Sequence, residues 1–254
     1  MKTLSVIVIT YNEEHNIEEC LRTISWANEI VVVDSHSTDA TVVLANKFTD
    51  KVFLVEGKGY AAAKNFALEK TSGEWILWLD ADERVTEELA KEIQAVLEQS
   101  SIVFNGFEIA RRAYFLGKWI QHCGWYPGYV IRLFRKDSAR FKELAVHEIL
   151  EFSTPKVSRL RGNLLHFTDP NLFHYFQKFN KYTSLAAEEL EKKNILFSLS
   201  DIIIRPLWMF FKMYFVKRGF MDGIQGFILC VCSSLYVFVK YAKLWERNEV
   251  RSKK

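Results

Sequence analysis

The 254-residue sequence predicts an α/β protein with a mostly parallel central sheet, followed by a helical, apolar C-terminal region. Three observations predict it. Short β-branched runs alternate with helical apolar patterns over the first hundred residues, polar residues gather just after those runs, and aromatic residues crowd after residue 170. Leu4–Thr10 (LSVIVIT) reads as the first strand. Ile17, Cys20, Leu21 and Ile24 then share one helix face. Residues 30–33 form a second β-branched run ending at Asp34, and Thr38 and Asp39 are suited to cap a helix carrying Val43 and Leu44. Residues 52–55 read as a third strand and Tyr60–Lys70 as an Ala-rich helix. Residues 75–79 are a fourth strand ending at Asp80, and Thr86 opens a helix bearing Leu89, Ile93, Val96 and Leu97. Apolar strands alternating with amphipathic helices imply parallel strands joined by right-handed crossovers, and such sheets bind ligands beyond the strands' carboxyl ends. Tyr11-Asn12-Glu13, Asp34-Ser35 and Asp80-Ala81-Asp82 are therefore expected at a ligand.

After residue 100 the pattern changes. Residues 106–112 and 129–135 read as strands separated by an aromatic loop with Trp119, Trp125 and Tyr126, and residues 170–194 read as a helix. The expected division is 1–170 for the α/β body and 171–254 for the helical region.

Composition narrows the class. A chain with 49% hydrophobic and 26% charged residues folds, and is neither disordered nor fibrous. Its four cysteines lack zinc-site spacing, so reduced thiols in a cytosolic compartment are expected. Met1-Lys2-Thr3 leads straight into a short strand without a small-residue cleavage site, which argues against a secretory signal. The net charge of +3 hides an asymmetry: residues 202–254 hold ten Lys/Arg and three Asp/Glu. A basic, aromatic tail on a mildly acidic body suggests an anionic surface as partner. Nucleic acid is not expected, because the basic residues sit in an apolar tail rather than a polar stripe.

The strongest chemical feature is Asp80-Ala81-Asp82. Two carboxylates one residue apart past a buried strand can face one hard cation, Mg²⁺ or Mn²⁺, together with substrate phosphates; a helix cap or solvated turn is the plainer reading. Asp34 can accept hydrogen bonds from a nucleotide base or ribose, or merely close a strand-to-helix turn. Thr10-Tyr11-Asn12-Glu13 can also cap the first helix. Gly57-Lys58-Gly59 before a helix can bring backbone amides to phosphate, or make a turn. Arg132 and Arg135, alternating with Ile131, Leu133 and Phe134, are expected on one strand face, gripping phosphate or meeting solvent. His166 follows an apolar pair and suits either a metal or diphosphate contact or a satisfied core position.

The order of these pieces resembles that of the family-2 inverting glycosyltransferases, carried by VIVITYNEE at 6–14, IVVVDSHSTDAT at 30–41, GKGYAAAKNFAL at 57–68 and WILWLDADE at 75–83. The run VIRLFRKDSARFKELAVHE at 130–148 and the tail segments GFMDGIQGF at 219–227 and YAKLWE at 241–246 are similar to bacterial glycosyltransferases of lipopolysaccharide-core synthesis, which often move glucose to a heptose. The resemblance implies a single Rossmann-like GT-A nucleotide-sugar domain and a UDP-sugar donor. It implies that Thr10, Tyr11, Glu13 and Asp34 line the uridine pocket, and that Lys58 and Lys64 lie near ribose or diphosphate. Asp80 would touch ribose or metal, Asp82 would ligate the metal, and Glu148 would be the catalytic base. Inversion needs one displacement by an acceptor hydroxyl, and an alcohol needs a positioned base to take its proton. One departure is Gly128, which follows Trp125-Tyr126-Pro127 where many relatives have an acid.

The tail carries 17 uncharged residues between Asp222 and Lys240, about 25 Å as a helix and short of a ~30 Å hydrocarbon core. Phe220, Ile224, Phe227, Ile228, Val231, Leu235, Phe238 and Val239 fall on one face. The expectation is peripheral contact with the inner face of the cytoplasmic membrane, where a lipid-linked saccharide acceptor is made; a helical lid on the body is the other reading. Two further functional readings fit the residues: transfer to a polyprenyl phosphate, and a nucleotide-binding, membrane-associated scaffold without turnover.

Overall fold

The computed structural model describes residues 2–56, 60–143 and 148–252. The first half runs β1 (Leu4–Thr10), α1 (Ile17–Arg22), β2 (Glu29–Asp34), α2 (Thr41–Ala45), β3 (Val52–Leu54), α3 (Tyr60–Lys70), β4 (Trp75–Asp80), β5 (Glu83–Val85) and α4 (Glu87–Glu98). It continues through β6 (Gly106–Phe115), β7 (Lys118–Trp119), β8 (Gly128–Arg135), β9 (Ala139–Glu143), β10 (Glu148–Phe152) and β11 (Val157–Asp169). Three long helices close the chain: α5 (Leu172–Lys192), α6 (Leu199–Phe211) and α7 (Gly223–Ser252).

Among the described residues nine strands form one sheet in the order β3-β2-β1-β4-β8-β6-β11-β5, with β7 paired to β6. β3, β2, β1 and β4 run parallel, as the strand–helix alternation requires, and β8 joins β4 antiparallel. All seven residues of β1 are buried, because helices and further strands cover both faces of the sheet. Its side chains alternate between two cores. Val6 and Val8 pack with Ile17, Leu21, Leu89 and Ile93, whereas Ile7 and Ile9 pack with Ala63, Ala67, Phe134 and Phe141. The Thr86 hydroxyl accepts the Leu89 amide at 3.3 Å and starts α4.

The chain divides into two compact units, Met1–Arg112 with Gly128–His166, and Ala113–Pro127 with Phe167–Lys254. The aromatic loop thus belongs with the C-terminal helices. Within that second unit Phe115, Ile120 and Cys123 pack with Met213, Leu229 and Cys230. Asp222 fastens the loop: its carboxylate accepts the His122 amide at 2.8 Å, and its carbonyl accepts Lys118 Nζ at 2.7 Å. All four cysteines are buried thiols.

Several features differ from the sequence reading. β5, the β9–β10 hairpin and β11 have no counterpart in it, because short or polar-interrupted strands carry little periodicity of their own. α7 runs 30 residues, well past the uncharged stretch. Gly219–Glu249 is long and apolar enough to cross a membrane by length and composition. One face of α7 nevertheless packs on α5 and α6 through Leu229, Val237, Tyr241 and Leu244. The opposite stripe, with Ile224, Phe227, Val231, Leu235 and Phe238, is exposed.

Candidate active site

The site is built at the carboxyl ends of β1, β2 and β4. Register brings them level: Thr10 pairs with Asp34, and Ile9 with Asp80. The loops after β1 and β2 are latched together. The Asn12 amide donates to Ser37 Oγ at 2.7 Å, Asn12 Oδ1 accepts the Thr38 amide at 2.8 Å, and the Glu13 amide donates to Thr41 Oγ1 at 2.8 Å. Asn12 holds φ = +53°, a backbone conformation that Asn tolerates better than most residues. The Glu13 carbonyl accepts the Asn16 and Ile17 amides, so this segment does cap α1. Asp39 reaches the first turn of α2 by accepting the Thr41 amide at 3.0 Å.

Asp34 is fully buried and accepts the Ser37 amide at 2.7 Å and the Ser37 hydroxyl at 2.5 Å. Thr10 is also buried, and its hydroxyl has no hydrogen-bond partner among the described residues. Tyr11 beside it is 57% exposed. An open aromatic ring, an unused hydroxyl and a fixed carboxylate thus stand together at the carboxyl end of the sheet, the kind of group that stacks on and hydrogen-bonds to a flat polar ligand.

Asp80 sits between two cations. Arg132 Nη2 donates to its Oδ2 at 2.8 Å, and Lys64 Nζ lies 3.9 Å from Oδ1. Both cations stack on Trp78: the Arg132 guanidinium carbon lies 3.4 Å and Lys64 Nζ 3.8 Å from the ring centre. Burial alone would raise the Asp80 carboxyl, but Arg132 and then Lys64 hold it well below the usual carboxylate range. Arg132 is 1% exposed, and its Nη2 also reaches Glu83 Oε1 at 2.6 Å. Its Nε and Nη1 have no hydrogen-bond partner among the described residues, so donor capacity remains for an anion.

Asp82 lies on the turn after β4, 3.4 Å from Nε2 of His166 on β11. Burial alone would lower the His166 pKa; the hydrogen bond His166 donates to Asp82, with the Asp82 charge, outweighs it and raises that pKa. Among the described residues no three His, Cys, Asp or Glu side chains come together as a self-contained metal cage. The donor set does fit a hard cation shared with phosphate oxygens, since Mg²⁺ commonly takes one or two carboxylates and completes its shell with water and substrate.

The structure separates Arg135 from this cluster. It pairs with Trp75, at the end of β4 opposite Asp80, roughly 16 Å away at about 3.3 Å per residue. Nor do the two arginines share a face, contrary to expectation. Three residues apart on a strand they point to opposite sides, which leaves Arg132 buried and Arg135 exposed. Lys58 and His147 lie outside the described residues, and so does the Glu148 side chain, although Glu148 begins β10 opposite Glu143. Two residues escaped the sequence reading. Glu83, fully buried, accepts the Asp80 amide at 3.1 Å and pairs with Arg132, and Arg111 lies 4.0 Å from it. The only sequence signal was that Glu83 directly follows the Asp-Ala-Asp turn.

Comparison with known proteins agrees with this arrangement at the level of family. The family model described as Glycosyl transferase family 2 matches residues 5–150. The lipopolysaccharide core biosynthesis glycosyltransferase LpsC of Rhizobium meliloti (strain 1021) is 31% identical over 261 residues, spanning 98% of this chain and 94% of that protein. The glycosyltransferase RT0209 of Rickettsia typhi is 28% identical, spanning 97% of this chain and 88% of its own length. Among solved structures, Staphylococcus aureus TarS aligns with 96% of this chain and 54% of its own, at a TM-score of 0.49 and 17% identity.

Proposed function

The chain belongs to glycosyl transferase family 2, and on that premise we propose that it moves a hexose, glucose, from a UDP-sugar to a heptose of a lipopolysaccharide-core acceptor with inversion at the anomeric carbon. The observation that carries the donor half is the clamp of Lys64 and Arg132 around Asp80, level with Thr10 and Asp34 at the carboxyl end of the sheet. Catalysis is assigned to residues 1–170. Thr10, Tyr11, Glu13 and Asp34 bind the uridine. Lys58, Lys64 and Arg132 face ribose and diphosphate, and the spare donors of Arg132 are suited to phosphate oxygens. Asp82, with His166 and Asp80 beside it, would hold a divalent cation, which would supply charge neutralisation for the departing diphosphate. Glu148 takes the proton of the acceptor hydroxyl as it attacks from the face opposite the diphosphate. The acceptor is a lipid-linked saccharide at the inner face of the cytoplasmic membrane, which the C-terminal helices meet peripherally. The support for that contact is the apolar surface of α6, the turn after it and α7, where Ile204, Leu207, Trp208, Phe211, Phe215 and Ile224 are each about half exposed or more.

The test is sugar release from a panel of UDP-sugars, with and without Mg²⁺ and truncated core oligosaccharide. Glu148→Gln is expected to lower turnover by roughly 10²–10⁴-fold while UDP affinity stays within about twofold. Lost UDP affinity would instead give Glu148 a structural role. Asp82→Ala is expected to abolish metal-dependent UDP binding, measured by calorimetry; unchanged metal dependence would remove Asp82 from the cation site.

A further inference from the structure

A second cavity lies wholly within the C-terminal unit, with a volume of about 470 Å³. Its wall is assembled from sequence at helical spacing. Ser233, Tyr236, Val237 and Lys240 lie on one face of α7 at i, i+3, i+4 and i+7, and Met209, Lys212 and Met213 descend from α6 into the turn that ends it. Tyr175 on α5 and Trp125 in the aromatic loop complete an aromatic side. Lys217 enters along the backbone of Gly124. A Cβ there would lie 3.6 Å from Lys217 Cγ, so the lysine stem runs in van der Waals contact with this turn.

Its charge is one-sided. Lys212, Lys217 and Lys240 all line it, and no lining residue is acidic. Among the described residues none of these three ammonium groups forms an ion pair. Lys240 is half-buried, and burial, followed by Arg205, pulls it below the usual lysine range, with Asp201 opposing in part. Lys212 and Lys217 are exposed, so the cost of a partly desolvated cation without an ion-pair partner falls on Lys240, and an anion in the cavity would relieve it. Beside the lysines the lining is thioether and aromatic, so the fitting anion carries an apolar extension. On α6 and the helical turn that follows it, the exposed rings of Trp208, Phe211 and Phe215 form a continuous ridge next to Lys212, with neighbouring centroids 5.8 and 5.3 Å apart. Such a ridge belongs at a membrane interface, which places the source of the anion in the bilayer.

We propose that this cavity binds the phosphate headgroup of an anionic phospholipid, held by Lys212, Lys217 and Lys240, while the ridge on α6 enters the interface. The proposal rests on the peripheral membrane contact argued above and gives it a chemical identity.

The full chain is compared with Lys212→Gln/Lys217→Gln/Lys240→Gln and with a charge-matched control, Lys91→Gln/Lys142→Gln/Lys156→Gln, whose lysines are exposed in the first unit. Flotation with phosphatidylcholine vesicles containing phosphatidylglycerol is expected to show at least tenfold weaker binding for the cavity variant and less than a twofold change for the control. Equal losses in both would reduce the effect to general surface charge and overturn the proposal. Calorimetry with dihexanoylphosphatidylglycerol below its micelle concentration reads the cavity without a membrane. Binding of this soluble lipid that the cavity variant loses, with no vesicle binding, would sink the membrane reading and leave the cavity standing. No soluble-lipid binding overturns the cavity itself. Inorganic phosphate binding as tightly as the lipid would overturn the lipid source. Single Lys212→Gln and Lys217→Gln variants, both at exposed positions, repeat the measurement should the triple variant unfold.

Discussion

Arg132 holds two carboxylates with one nitrogen, Asp80 at 2.8 Å and Glu83 at 2.6 Å, while its guanidinium lies flat on Trp78. A lysine would keep the charge but lose the flat guanidinium on Trp78 and the spare Nε and Nη1 donors. Removing the cation is worse for stability, because Glu83 is fully buried. Arg132→Met is expected to cost about 3–5 kcal/mol in urea unfolding, the usual penalty for stranding a buried partner. Arg132→Met with Glu83→Leu should recover part of that, while turnover stays lost. Glu29 gives a cleaner pH signature. Burial alone would raise its pKa, but hydrogen bonds from Lys51, Ser5 and the Ser72 amide lower it from 4.5 to about 2. A depressed carboxyl stabilises the fold fully above its ordinary value, and the contribution fades as pH falls toward about 2. The stability gap between the native chain and Glu29→Gln should therefore be widest at pH 6 and close progressively between pH 4.5 and 2. A gap that is constant with pH would deny Glu29 this role.

Elements meet here through close approaches that the sequence does not announce. Gly162 on β11 faces α4, and a Cβ there would sit 2.6 Å from Leu89 Cα. Gly162→Ala must push the helix off the strand and is expected to cost about 1–3 kcal/mol, read as a lower denaturation midpoint with an unchanged slope. That contact also explains a limit of sequence reading. The parallel half of the sheet was legible because β1, β2 and β4 are mostly apolar runs, each ended by a polar residue, with a helical pattern close behind. β11 breaks the alternation of a strand with Gly162, Asn163 and the adjacent pair Leu164-Leu165, and β5 is three residues long. Neither has enough local signal to reveal a strand; pairing between them supplies the rest. The same holds for Arg132 and Arg135, whose different fates follow from the strand's two-residue period and its antiparallel register on β4.

At the scale of the whole molecule, the apolar residues that α6 and α7 leave in water ask for a partner. Phe211 and Phe215 lie one turn apart and each is about half exposed. Phe211→Ser/Phe215→Ser is expected to weaken vesicle binding at least tenfold, since each ring withdrawn from water contributes about 1 kcal/mol or more and 1.4 kcal/mol is a factor of ten. Unchanged binding would assign this surface to something other than lipid. The sequence by itself determined the strand–helix alternation, the carboxyl-end residues Thr10, Asp34, Asp80 and Asp82, and the family, because each depends on neighbours within a few residues. Only the tertiary structure decided that Lys64, Arg132 and Glu83 converge on Asp80, that Arg135 stands apart, and which stripe of α7 faces outward. Those outcomes depend on the register and packing of segments far apart in the chain, from Asp80 with Arg132 to Cys123 with Cys230, which no local pattern encodes.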